Sequence, residues 1–273
     1  MSVVDVQRLS TILRDAAKAE VLPRFRRLDD SMVKVKSEAI DIVTEADTSA
    51  ERFIKAGVAE LAPDALFVGE ESVAADPALL DALPGAELAV VVDPIDGTAN
   101  FAAGVPLFAV MAAVVSKGET VAGIIYDPMG DDWILAEKGS GAFLRRPDGG
   151  TVRLRVADPV PLAQMVGTAS VAYMPAEAQL DVLSHFVKVR LVSNYRGAGH
   201  EYRLLASGFS QFAVFNKLMP WDHLAGALIC EEAGAYVRRF DGSAYRPEHQ
   251  GGGLLTATSK DAWEELRREV FTF

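Results

Sequence analysis

The first stretch of the chain places apolar residues at Val6, Leu9, Leu13, Ala16 and Ala17. That spacing predicts an amphipathic helix running to about Phe25. A strand-like Ile40-Asp41-Ile42-Val43 follows. Thr48-Ser49-Ala50-Glu51 then fits a capping box, opening a helix whose Phe53, Ile54, Val58 and Leu61 point inward. Pro63-Asp64 ends it, and Leu66-Phe67-Val68 reads as a short strand leading into Gly69-Glu70-Glu71-Ser72. Residues 74–85 suit a loop or a short helix. From Phe108 the pattern changes to strands over 108–115, 121–126, 133–137 and 142–144. Lys117-Gly118-Glu119 and Lys138-Gly139-Ser140-Gly141 supply the turns between them.

Arg146-Pro147-Asp148-Gly149-Gly150 is the best candidate boundary, dividing an N-terminal α+β half, 1–148, from a C-terminal α/β half, 149–273. Beyond it, strands near 165–169, 189–193 and 212–215 alternate with helices near 176–187, 201–207, 222–233 and 260–269. Such alternation points to a layered α/β arrangement. There is no internal repeat, low-complexity tract or long linker.

Half of the 273 residues are hydrophobic, enough for a substantial core. With 27 basic and 38 acidic residues the net charge is −11. That balance argues against a general nucleic-acid binder, whose affinity rests on basic residues meeting phosphates. An acidic enzyme still handles phosphates when bound cations supply the positive charge. Cys230 is the single cysteine, so no intrachain disulfide forms, and a reducing, cytoplasmic setting is expected. In Ala227-Leu228-Ile229-Cys230 it reads as a small core residue rather than a nucleophile. The longest apolar stretch, Val105 to Val115, is well short of the roughly 20 residues a membrane helix needs, so no membrane association is expected.

Chemistry concentrates at Asp93-Pro94-Ile95-Asp96-Gly97-Thr98, directly after the apolar run Leu88-Ala89-Val90-Val91-Val92. Two carboxylates at the exit of a buried strand are costly to keep ionised without a partner. A hard divalent cation such as Mg²⁺ is the simplest partner, because it takes carboxylate, carbonyl and water oxygens. Gly97-Thr98 can offer backbone N–H groups to an anion if a helix begins there. Glu70-Glu71 stand in the same strand-exit setting, Asp47 precedes a helix, and Asp222 opens a strongly apolar one. Taken singly, Asp47 and Asp222 would equally serve as helix N-caps, and Glu70-Glu71 as solvated charges.

Together these segments resemble the inositol monophosphatase family of Mg²⁺-dependent, lithium-sensitive phosphatases. The matching motifs are Asp41-Ile42-Val43-Thr44-Glu45-Ala46-Asp47, Gly69-Glu70-Glu71-Ser72, Asp93 through Phe101, and Trp221-Asp222-His223-Leu224-Ala225-Gly226 with Glu232-Ala233-Gly234. The resemblance implies a layered αβαβα sandwich of the inositol monophosphatase and fructose-1,6-bisphosphatase type. It implies two or three Mg²⁺ ions: Glu70, Asp93 and the Ile95 carbonyl on one, Asp93, Asp96 and Asp222 on a second, with Glu71 in an outer shell or on a third. By the same resemblance Asp47 and Thr98 activate the attacking water, Glu70 joins them as catalytic through its cation, and the N–H groups of Gly97 and Thr98 hold the phosphate. Lys36 matches a position where the family often has lysine near the metals. Family members are commonly homodimers.

The resemblance stops at the substrate. Inositol-specific members have a Gly-Ser/Thr-Ala-Ala segment where this chain has Arg196-Gly197-Ala198-Gly199-His200-Glu201. They also carry a glutamate, which binds inositol hydroxyls, where this chain has Phe215. A phenyl ring accepts no hydroxyl hydrogen bond. Arg196, His200, Glu201, Phe215 and Lys217 are therefore the candidate specificity residues, with a surface or interface network as the other reading of the polar ones. His185, His223 and His249 read as structural or solvated. The leading reading is hydrolysis of a small phosphorylated metabolite, the substrate not necessarily inositol phosphate. Alternatives on the same fold are fructose-1,6-bisphosphatase, histidinol-phosphatase or nucleotide 3′-phosphatase activity, or a regulatory binding protein. The nucleotide option is the weakest, since those members usually have Lys-Glu in place of Ala99-Asn100.

Overall fold

The computed structural model describes residues 4–28, 33–35 and 42–272. The expected N-terminal helix is α1 (Val6–Ala16), capped by the Asp5 carboxylate, which accepts from the Arg8 N–H. It continues through a π turn over Ala17–Val21 and a 3₁₀ turn over Leu22–Arg24. A small ladder follows, β1 (Val33–Val35) antiparallel to β2 (Ile42–Thr44). Ile40, Asp41 and Lys36 lie outside the described residues.

The next helix, α2 (Glu45–Leu61), starts one turn earlier than expected. Its cap is Thr44, whose backbone N–H donates to Asp47 Oδ2 at 2.8 Å while its own side chain accepts from Ala46. Thr44 ends a strand and is already extended, so reciprocal capping forms there, whereas Thr48 donates to the Glu45 carbonyl from inside the helix. Then come β3 (Leu66–Gly69), the short helices α3 (Glu70–Ala75) and α4 (Ala78–Ala82), and β4 (Leu88–Asp96). A single helical turn, α5 (Thr98–Ala102), leads to β5 (Ala109–Ser116), β6 (Glu119–Asp127), β7 (Asp132–Glu137), β8 (Ala142–Arg145) and β9 (Thr151–Arg153). Strands β3 to β9 form a seven-stranded sheet in chain order, parallel at β3–β4 and antiparallel elsewhere. The Arg146–Gly150 segment turns between β8 and β9, so the change of sheet comes after Arg153.

The remainder is β10 (Val166–Ala169), α6 (Ala176–His185), β11 (Leu191–Ser193), α7 (Ala198–Ala206), β12 (Phe212–Phe215), α8 (Pro220–Glu232), β13 (Tyr236–Arg239), β14 (Leu254–Ala257) and α9 (Lys260–Glu269). Its five strands order as β11-β10-β12-β14-β13, with β14 antiparallel to both neighbours. Strands β13 and β14 were not apparent from the periodicity. Each is four residues long, and Gly251-Gly252-Gly253 breaks the pattern before β14.

Three cores give the αβαβα layering. Helices α1 and α2 cover one face of the larger sheet, packing Leu9, Leu13 and Ile54 against Val90, Val92 and Val110. The other face, with Val91, Met111 and Ala113, meets Tyr202 of α7 and Leu224 and Ile229 of α8. These helices also cover the inner face of the second sheet at Ala213 and Phe215, while Phe212 and Val214 point outward to Trp263 and Leu266 of α9. Alternation along β12 thus feeds two cores from one strand. Helix α8 is buried nearly all round, as its continuous apolar sequence requires. No helix among the described residues is long and apolar enough to cross a membrane.

Close approach of α8 to the larger sheet depends on Gly123, where a Cβ would lie 2.6 Å from the Ala225 carbonyl oxygen. The obstacle is backbone, so Gly123→Ala must push the helix away. Overpacking of this kind costs about 1–3 kcal/mol. Thermal unfolding of this variant is expected roughly 2–10 °C below the unmodified protein; an unchanged Tm would show that α8 has room to move.

Candidate active site

Strand β4 carries Asp93 and Asp96, which on a regular strand would face opposite sides. A bulge intervenes: Asp93 pairs with Met111 but Asp96 with Ala109, so one extra residue enters on β4. Pro94, which has no N–H for a ladder, lies within it. The bulge puts the two carboxylates on one side, where Asp222 from the first turn of α8 meets them. Carboxylate oxygens of Asp93, Asp96 and Asp222 all lie within 4.8 Å of one another.

Water is largely excluded from Asp93 and Asp96, which are 1% and 5% exposed. Burial raises the pKa of Asp93 well above the usual carboxylate range, with the charges of Glu70 and Asp222 adding to it. Burial likewise raises Asp96 and lifts Asp222 to about 8. Three desolvated carboxylates converging this closely form an all-oxygen donor set that fits a hard cation. The fold also orients them. Asp93 Oδ1 accepts from the Ile95 N–H at 3.0 Å, and Asp96 accepts from the Ala198 and Gly199 N–H groups of α7 at 2.8 Å each.

Glu70 begins α3 and lines the same cavity, of about 650 Å³. Its position depends on Glu51, a buried residue of α2 that the sequence reading placed only in a capping motif. Glu51 accepts from the N–H groups of Glu71 and Ser72 at 2.7 and 2.8 Å, fixing the start of α3. A Cβ on Gly69 would collide with the Glu51 carboxylate, so a larger residue there would displace that carboxylate from the start of α3. Glu71 stands beside Glu70 on α3 but outside the cavity lining.

Asp47 and Thr98 meet as expected, with the Thr98 hydroxyl 3.0 Å from Asp47 Oδ1 and 2.8 Å from the Ile95 carbonyl. Asp47 Oδ2 is held by the backbone and side chain of Thr44. Burial raises Asp47 to about 7. Gly97, at φ +82, turns the chain between β4 and α5, and a Cβ there would approach the Leu107 carbonyl to 2.9 Å. Asn100, not singled out from the sequence, donates to the carbonyls of Leu107 and Tyr195 at 2.9 and 2.6 Å. It fastens the loop before α7 to α5 and to the loop between α5 and β5.

Of the specificity candidates, Arg196, Glu201, Phe215 and Lys217 line the cavity. His200 is not among its lining residues and donates from Nε2 to the Phe108 carbonyl at 3.1 Å. Glu201 is buried, accepts from the Tyr195 N–H at 2.9 Å, and is raised by burial to about 7. His223 is structural: burial lowers it to about 4, so the neutral ring donates from Nε2 to the Lys217 carbonyl and accepts at Nδ1 from Tyr202.

A sequence profile described as the Inositol monophosphatase family matches residues 5–270. An inositol-1-monophosphatase of Mycobacterium bovis is 35% identical over 245 residues, covering 89% of this chain and 82% of its own. A fructose-1,6-bisphosphatase/inositol-1-monophosphatase of Thermotoga maritima is 30% identical over 215 residues, 77% of this chain and 76% of its own. A Nus factor SuhB of Pseudomonas aeruginosa is 34% identical over 247 residues, 86% of each chain. Among solved structures, the extragenic suppressor protein suhB of Bartonella henselae superposes with a TM-score of 0.79 at 28% identity, covering 98% of this chain and 96% of that one. With the fold, the order of the carboxylate motifs and the match along nearly the whole length in agreement, the chain belongs to the inositol monophosphatase family.

Proposed function

We propose that the protein hydrolyses a small phosphorylated metabolite at the Asp93, Asp96 and Asp222 site, with two or three Mg²⁺ ions. The observation carrying this reading is the convergence of two buried carboxylates and the half-buried Asp222 within 4.8 Å, since neutral pH favours their joint ionisation only beside a cation. Glu70, Asp93 and the Ile95 carbonyl would hold one ion, Asp93, Asp96 and Asp222 a second, with Glu71 beside them. When bound, the ions would lower the pKa of a water, offset phosphate charge and favour the departing alkoxide. The N–H groups of Gly97 and Thr98 would orient the phosphate. Thr98 would accept the proton of the attacking water while passing its own to Asp47, which already faces it at 3.0 Å. Asp47 is fit for this task, because a carboxylate lifted to about 7 is a stronger base than an exposed one.

The division of labour is part of the proposal. Residues 1–148 would supply Asp47, Glu70, Asp93 and Asp96, and residues 149–273 would supply Asp222 and the specificity wall. A homodimer and a cytoplasmic setting belong to the same reading. The first is supported by the exposed apolar side chains Leu180, Leu183, Val187 and Leu191 on and beside α6, the second by the lone buried Cys230. A regulatory role in place of catalysis would leave the carboxylates without chemical work, and phosphate release with and without Mg²⁺ separates the two.

Asp93 would touch both principal ions, so Asp93→Asn is expected to lower phosphate release by at least ~10²-fold. Excess chelator should abolish activity, and added Mg²⁺ should restore it. Full turnover in chelator, or in the variant, would overturn the assignment.

Thr98→Ala and Asp47→Asn are each expected to lower kcat with little change in KM, because proton transfer matters mainly in the transition state. The double variant should lose hardly more than the worse single one. Losses that multiply would show two independent roles.

A further inference from the structure

Away from the carboxylates, the polar groups suited to holding neutral hydroxyls are largely engaged within the protein. Asn194 donates to the Ala169 carbonyl at 3.2 Å and accepts from the Arg196 N–H at 2.8 Å. Asn216 donates to the Tyr173 carbonyl at 2.7 Å, and Glu201 accepts from the Tyr195 N–H at Oε1, while its Oε2, without a hydrogen-bond partner among the described residues, is shut off from solvent. Phe215 offers no acceptor. Its ring packs 4.9 Å from Tyr202 and 4.7 Å from His223 and is 4% exposed.

Two cations on this wall are not engaged in that way. Among the described residues no salt bridge is formed by the Arg196 guanidinium or the Lys217 ammonium; the Arg196 backbone N–H donates to Asn194, and Lys217 Nζ lies over the Tyr173 ring, 5.3 Å from its centre. In a chain of net charge −11, two cations with no salt-bridged carboxylate among the described residues line this one cavity. Both are mounted on fixed backbone. The Lys217 carbonyl is held by His223 at 2.9 Å, and His223 by Tyr202 at 3.0 Å. Arg196, at φ +55, is braced by Asn194 and by the Asn100 bond to the preceding carbonyl.

We propose that Lys217 and Arg196 form an anion subsite, binding a carboxylate or second phosphate on the alcohol part of the phosphomonoester. The subsite rests on the phosphomonoesterase reading given above and narrows its substrate to esters of anionic, rather than neutral, alcohols. Charge-assisted hydrogen bonds are roughly twice as strong as neutral ones, so a ligand without the second charge forfeits the strongest contacts the wall offers. Polyol phosphates such as myo-inositol 1-phosphate are then poor substrates, since the wall supplies few hydroxyl partners.

The test is Mg²⁺-dependent phosphate release from matched esters: 2-phosphoglycolate against 2-hydroxyethyl phosphate, and glucose 1,6-bisphosphate against glucose 1-phosphate. In at least one pair the more charged ester is expected to lead by roughly tenfold or more in kcat/KM, and the leading pair tells carboxylate from phosphate. Lys217→Met and Arg196→Gly should each bring that ratio down several-fold, chiefly through KM, while Lys217→Arg keeps it. Glycine suits the positive φ at 196, so that variant removes the guanidinium without straining the turn. Ratios near one in the unmodified protein would overturn the subsite. So would variants that depress both members of a pair equally, which would leave Lys217 merely offsetting Asp222 and Arg196 on the scissile phosphate. Absence of release from all four esters would remove the phosphomonoesterase reading itself, and the subsite with it.

Discussion

Mutual repulsion among Asp93, Asp96 and Asp222 is the constraint around which the rest of the fold is arranged. Three carboxylates so close and so dry resist ionising together, and the backbone must hold them in place against that resistance. Each is anchored by a different device. The β4 bulge aims Asp93 and Asp96, α7 grips Asp96 with two N–H groups, and α8 brings Asp222 from the other half of the chain. A centre of this kind gains stability from any cation that neutralises it, and that gain couples ion binding to the docking of the two sheets.

Much of this could be read from the residues. Asp93, Asp96 and Asp222 stood out as carboxylates beside apolar runs, and the Asp47–Thr98 contact followed from the family resemblance. What the sequence concealed is long-range or geometrical. Periodicity carries no sign of the β4 bulge, because a bulge is a relation between two strands. Glu51 looked like a local capping residue, yet its partners are twenty residues away at Glu71 and Ser72. The start of α2 lies one turn before the Thr48 segment because two overlapping segments both obey the capping pattern. Extension of β2 into Thr44 settles which one is used. His200 shares the segment that departs from the inositol-specific pattern, but successive residues on a helix face different ways, and its ring turns to the Phe108 carbonyl.

Substrate recognition reads differently from the catalytic centre. The centre is built from motifs that keep their order and spacing, so resemblance carries over residue by residue. The opposite wall is built from positions where this chain departs from the inositol-specific pattern, and there only contacts inform. Phe215 illustrates the point: the absent acceptor was visible in the sequence, but the locking of its ring between Tyr202 and His223 was not. The ring is part of the core as much as of the wall.

Asp47 closes the helix cap at Thr44 with one oxygen and faces Thr98 with the other. One side chain thereby answers to two masters, the architecture of α2 and the proton traffic proposed for the site. Variation at this position cannot tune one without disturbing the other. Thr44 offers no way round this, because its hydroxyl donates to Asp47 and also accepts from the Ala46 N–H at the start of the helix. Local folding and reactivity meet here in one pair of side chains.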